Sequence, residues 1–295
     1  MRTIFFGKDG RIRVAWRVLT FLFSYLLIAG VVIFASTMVL AQLPFGESAV
    51  KYLPLLVPFL IAAIVAIVLG WAFGKLFEDL PFDALGISLS NRWLRNFLWG
   101  LLIGGLAFGS AILVAVMGGG LTLHLNRESA LSAILTTLGT TLIIFAAGAL
   151  SEETLFRGYI LQTIVRSRFT VIAVVLTSLL FAFAHNQNPG ANPLSMINTL
   201  IAGVWFAIAY LKTRDLWFPL GIHLMWNWLQ GPVFGINVSG ISDFSPDPIL
   251  RAVDNGPAFL TGGIYGIEGG IACTIALAIS IGLVYFLPLK AEPPA

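Results

Sequence analysis

Three short stretches of this sequence hold residue types that activate water. The first is Ser151-Glu152-Glu153-Thr154-Leu155-Phe156-Arg157, the second Phe181-Ala182-Phe183-Ala184-His185, and the third His223-Leu224-Met225-Trp226-Asn227. Carboxylates, imidazoles and an amide can between them take a proton from water and stabilise an oxyanion. On a helix Glu153 and Arg157 stand at i and i+4 and share a face, so they can pair and both stay charged in a dry setting. Glu152 then points about 100° away, because an α-helix turns that far per residue. It is the carboxylate without a local cation, and so the candidate general base. His223 and Asn227 again stand at i and i+4 and project from one face. The third histidine, His124, lies in a connecting stretch near Arg127 and Glu128 and is given no role.

The elements that position these residues are membrane helices. Of 295 residues, 58% are hydrophobic and only 11% charged, and mean hydropathy is +0.92. A soluble domain carries about 25% charged residues. A hydrocarbon core roughly 30 Å thick takes about 20 apolar residues per helix. Eight such segments are expected, near 18–42, 53–73, 97–117, 131–151, 170–186, 196–211, 217–235 and 263–287. The expected class is an all-α, polytopic bundle of about eight transmembrane helices forming one integral membrane domain. Within it, 1–130 holds three N-terminal helices and a cytoplasmic link, 131–235 the segment with all three polar stretches, and 236–295 an outer loop and the last helix. A charge near the bilayer centre costs about 2.5–3.5 kcal/mol on insertion scales, so Glu152, Glu153 and Arg157 need a functional or structural reason.

Charge sets the orientation. Of 17 lysines and arginines, only Lys51, Arg127 and Arg251 fall on one side. The remainder cluster before the first helix (Arg2, Lys8, Arg11, Arg13, Arg17) and in alternate connections, ending with Lys290. This positive-inside bias places both termini in the cytoplasm. The net charge of +3 is thereby a topology signal, and no basic patch interleaved with aromatics points to nucleic acid. The first apolar run is longer than a signal-peptide core and lacks a small-residue cleavage site, so a cleaved leader is not expected. The single cysteine, Cys273, excludes an intrachain disulfide and a cysteine metal cluster; among small residues it reads as packing.

Between helices, 74–96 reads as an amphipathic or irregular interfacial link, and 186–195 (NQNPGANPLS) as a turn. The stretch 236–262 holds Asp243, Asp247 and Asp254 without the regular ligand spacing of a calcium loop, and is expected to be a solvated outer loop. Counted at about 1.5 Å per residue, Glu152, His185 and His223 lie roughly 21, 25 and 13 Å from the arginines marking the membrane edge. For straight vertical helices those depths do not coincide, so convergence requires tilt or a break such as Pro219.

In order and spacing the three stretches resemble the type II CAAX prenyl protease and bacteriocin-processing family of intramembrane proteases (CPBP, or Abi), which carries EExxxR, FxxxH and HxxxN on successive helices. Here these are Glu152-Glu153 with Arg157, Phe181 with His185, and His223 with Asn227, within about residues 131–235. LWFPLGIHLMWN around the third is also similar to the family. The resemblance implies peptide-bond hydrolysis within the membrane of a bacterial cell. Glu152 would activate water, His185 assist or stabilise the oxyanion, and His223 and Asn227 hold the water or the oxyanion. Glu153 and Arg157, with Phe181, would support them. The substrate would be a membrane-associated or lipidated peptide or protein, and the other partner the lipid bilayer. No cofactor is required by the pattern. Zinc is compatible with Glu152, His185 and His223, since His₂Glu is a known set, although the HExxH helix is absent.

Two other readings remain open from sequence. In a proton-coupled transporter, Glu152, His185 and His223 would relay protons; that fold usually shows repeated halves, and none is evident. In a membrane scaffold or bacteriocin-immunity protein, the same residues would persist without hydrolysis.

Overall fold

The computed structural model describes residues 2–7, 10–89 and 92–289; Lys8 and Lys290 of the charge pattern lie outside them. The helices are α1 (Arg2–Phe5), α2 (Val14–Leu40), α3 (Glu47–Glu78), α4 (Trp93–Met117), α5 (Leu131–Glu153), α6 (Leu161–Arg166), α7 (Thr170–Ala184), α8 (Pro193–Thr213), α9 (Trp217–Trp228), α10 (Ala258–Thr261) and α11 (Ile271–Phe286). A π-helical stretch, Thr154–Ile160, joins α5 to α6, and a second, Leu229–Val233, follows α9. A strand pair, β1 (Leu121–Leu125) and β2 (Leu250–Asp254), completes the regular structure.

Among the described residues, five helical runs are long and apolar enough to cross a membrane: Val14–Leu40, Val50–Glu78, Trp93–Met117, Leu131–Arg166 and Pro193–Thr213. Two further apolar helices, α7 and α11, have 15 and 16 residues, and α9 has 12. Large side chains such as Phe23, Leu26 and Phe34 stand exposed along α2. Lipid tails are as apolar as leucine, so exposure to them carries no hydrophobic penalty. The chain is an integral membrane protein.

With no hydrophobic drive in lipid, helices associate through close packing. The pair α4–α9 shows how. A side chain at Gly104 would collide with the backbone of Ile222, and one at Gly100 with the carbonyl of Phe218. Glycines four apart on α4 thus let the backbone of α9 approach until His223 faces the interior. At the other end of α9, Asp215 Oδ1 accepts the N–H groups of Trp217 and Phe218 at 3.1 and 3.3 Å, and Asn96 of α4 donates to Oδ2. The helix carrying His223 is therefore fixed by a polar clasp at its start and by backbone contact along its length.

The structure corrects several expectations. The helical class holds except for one antiparallel ribbon, in which Thr122 faces Val253 and His124 faces Arg251. The stretch 236–262 is solvated only in part: Ile236, Val238 and Phe244 are buried in the molecule, while Val253 and Phe259 are exposed. Two of its aspartates take structural hydrogen bonds. Asp247 accepts from Ser129 at 2.8 Å, and Asp254 from Thr261 at 2.8 Å. The helix expected at 131–151 continues through the π stretch to Arg166. The one expected at 263–287 starts only at Ile271, because Gly262, Gly263 and Gly266 take positive φ and turn the chain through short 3₁₀ segments. The turn at 186–195 ends where Asn192 and Ser195 form a reciprocal cap on α8, with Pro193 at its first position.

Candidate active site

Glu152 and Glu153 are the last residues of α5, just before the π-helical stretch. Such wider turns recur at functional sites because they re-aim side chains. Arg157 sits inside the stretch and is completely buried. Its Nη1 donates to Glu153 Oε1 at 3.1 Å and its Nη2 to the carbonyl of Gly203 at 3.0 Å. Its guanidinium also faces the rings of Phe156, Phe181 and Phe206 at 5.7, 4.8 and 5.2 Å. A buried cation is tolerable only when compensated; here a carboxylate, a carbonyl and three ring faces share that task.

Both histidines have one ring nitrogen assigned by its partner. His185, at the C-terminal cap of α7, places Nδ1 2.8 Å from the carbonyl of Phe181. A carbonyl only accepts, so Nδ1 carries the proton. His223 places Nδ1 3.1 Å from Glu153 Oε1. That oxygen already accepts from Arg157, and by the same logic the His223 proton resides on Nδ1. The His223 ring stacks on Phe206, centroids 4.8 Å apart and planes at 17°. In both residues Nε2 is left for chemistry.

Both Nε2 atoms meet Glu152. Its Oε2 is 4.0 Å from His185 Nε2 and 3.8 Å from His223 Nε2. It is buried and accepts no hydrogen bond from the described residues. These separations exceed a direct bond and admit a water about 2.8 Å from its neighbours. The three depths that disagreed for straight helices are thereby reconciled in one place. Asn227, one turn beyond His223, lines the same cavity but bonds to none of these groups. Phe181 packs on His185 at 4.7 Å.

The cavity has a volume of about 320 Å³. Its walls come from α3, α5, α7, α8 and α9, and also from Val238, Phe244 and Glu268 beyond them. The sequence pairs Glu153 with Arg157 alone and does not reveal its contact with His223, which lies 70 positions away. Nor does it reveal Phe206, whose only sequence signal is its place on an apolar helix, or Glu268, for which a lone acid beside the apolar last helix was a usable signal.

The donor set of Glu152, His185 and His223 has the chemistry of a zinc site, with Nε2 the free nitrogen in both rings. The arrangement does not close around an ion. Among the described residues, no group of three or more His, Cys, Asp or Glu side chains is placed to hold a metal.

Comparison with known proteins bears on the same segment. Residues 134–229 match the family described as type II CAAX prenyl endopeptidase Rce1-like. Over 88 residues the chain is 35% identical to an uncharacterized 24.3 kDa protein of Escherichia coli, a stretch covering 29% of this chain and 39% of that protein. The aligned part thus spans about two fifths of that curated relative. Every residue of the three motifs, from Glu152 to Asn227, lies inside the segment 134–229 that is similar to the Rce1-like family.

Proposed function

We propose that this protein is a membrane-embedded endopeptidase of the CAAX-processing type that cleaves a peptide bond with a water activated by Glu152. The observation that carries this reading is the buried, unbonded Glu152 Oε2 faced by two imidazole Nε2 atoms in one cavity. Glu152 takes a proton from the water, and the resulting hydroxide oxygen bonds to the carbonyl carbon. His223 Nε2 accepts the water's second hydrogen bond and aims its lone pair. The carbonyl oxygen, now negative, is received by the Asn227 amide and by His185, whose Nε2 carries a second proton taken from solvent before the attack and kept throughout. As the C–N bond breaks, Glu152 returns the proton to the leaving nitrogen, which restores the carboxylate. Glu153 and Arg157 hold the His223 ring in register. No step passes through a metal.

The catalytic core is 131–235, both termini face the cytoplasm, and the substrate is a membrane-associated or lipidated peptide. The test is digestion of a membrane-peptide library by the purified full-length protein in lipid nanodiscs. New termini that appear with the wild type and vanish with Glu152→Gln support the reading. An unchanged digest with Glu152→Gln, or none with either protein, ends it.

A further inference from the structure

The cavity continues past the water site to a second carboxylate. Along α8 its wall runs from Asn198 to Phe206. Phe206 stacks on His223, and Asn198 donates to the carbonyl of Glu268 at 2.8 Å. Eight residues of helix separate these two ends by about 12 Å. Glu268 also lines the cavity. Its Oε2 accepts from Ser239 N at 2.6 Å and Ser239 Oγ at 2.9 Å, which holds a turn where Ser239 has φ of 48°. Its Oε1 accepts no hydrogen bond from the described residues.

The charge around this carboxylate is one-sided. No Lys or Arg is among the residues lining the cavity, whose two carboxylates are Glu152 and Glu268. Among the described residues no cation pairs with Glu268, whereas Glu78, Glu128 and Glu153 each have an arginine. A carboxylate without a cationic partner, in a cavity walled largely by apolar residues, attracts a cation more strongly than it would in water, and it repels an acidic group as effectively. Pinning one serine turn needs no such charge.

We infer that Glu268 sets substrate specificity by receiving a Lys or Arg side chain located within four residues of the bond attacked at Glu152. An extended peptide advances about 3.3 Å per residue, so the 12 Å run corresponds to three or four residues, fewer if the long basic side chain itself spans part of it. This inference rests on the hydrolytic reading above and adds the class of peptide that the site accepts.

The experiment uses the full-length protein in nanodiscs with membrane-anchored fluorogenic peptides. Each carries lysine, the uncharged isostere norleucine, or glutamate at one position within four residues of the cleaved bond. Turnover and binding are both measured. Wild type should favour the lysine peptide over norleucine by about tenfold or more in kcat/KM, chiefly through KM. In Glu268→Gln that ratio should fall towards one, and in Glu268→Lys the glutamate peptide should become the preferred one. A purely structural role for Glu268 would lower all three peptides alike, which would overturn the inference, as would equal lysine and norleucine values in wild type. Lysine-selective binding lost in Glu268→Gln, without turnover, would retain the subsite and reject the protease reading. Turnover without lysine selectivity would do the reverse.

Discussion

Glu153 Oε1 lies 3.1 Å from Nδ1 of His223 and 3.1 Å from Nη1 of Arg157. One carboxylate oxygen thus fixes the tautomer of the His223 ring and neutralises a buried cation. In the proposed mechanism the second glutamate of the pair is the positioning residue, and the first faces the reacting water.

Exchange of Glu153 for glutamine should therefore impair the chemistry more than binding. A misdirected catalytic imidazole in comparable arrangements costs roughly 10⁴-fold in kcat; with Arg157 still holding part of the geometry, a loss of about 10²–10⁴ is expected. Steady-state kinetics of Glu153→Gln would show kcat reduced and KM nearly constant. A change confined to KM would contradict the assignment.

Glu152→Gln should separate activity from stability. Its Oε2 is buried without a bond, so removal of the charge relieves a desolvation cost. Loss of a general base lowers the rate by about 10²–10⁴ or more. The expected outcome is an inactive protein whose thermal midpoint in detergent equals or exceeds that of wild type. A marked drop in midpoint would show that Glu152 is structural instead.

Arg157→Met removes the cation and leaves Glu153 buried with only His223. Breaking a buried pair by removing one partner typically costs about 3–5 kcal/mol. Denaturation in mixed micelles should reveal a loss of that order, partly recovered in the Glu153→Leu/Arg157→Met double variant. Additive effects of the two changes would argue against their coupling.

Asp215 predicts a pH signature. It lies between α8 and α9, and burial raises its carboxyl above the usual 3.8, opposed by the hydrogen bonds from Asn96, Phe218, Thr213 and Trp217. A carboxyl with a raised folded-state value binds its proton more tightly in the folded protein. Its stabilisation is complete below pH 3.8 and is lost as pH rises through the folded value. The midpoint of Asp215→Asn relative to wild type should thus climb as pH is taken from 4 towards 7. Parallel curves would reject the claim.

Chelation is expected to leave hydrolysis intact, because no step of the mechanism uses a metal and the carboxylate and two imidazoles do not close around one. Activity lost after prolonged EDTA dialysis and restored by zinc alone would refute this.

Much of this arrangement was legible in the sequence. Local rules sufficed where partners are one turn apart: Glu153 with Arg157, or the Asn-Pro-Gly turn before α8. They failed where a contact joins distant elements. The i, i+4 rule selects Arg157 for Glu153 and has no means of finding His223 on another helix. Hydropathy does not register the π stretch at 154–160, because one wider turn leaves the segment equally apolar. The strands LTLHL and LRAVD are short and separated by more than a hundred residues, so nothing local marks them as partners. The late start of α11 was readable in principle, since glycines at 262, 263, 266, 269 and 270 disfavour helix there.

The pairing of Leu121–Leu125 with Leu250–Asp254 has a mechanical meaning. Every motif residue lies on the chain between these two strands, so hydrogen bonds close that chain into a ring at its neck. Closing that chain costs loop entropy on folding, a cost that grows only slowly with length, and once closed its two ends are held together. Wobble of any single helix is thereby shared round the circuit instead of being released at a free end. On the proposed reading, the parts that hold the reacting atoms still would include this strand pair as well as the apolar helices.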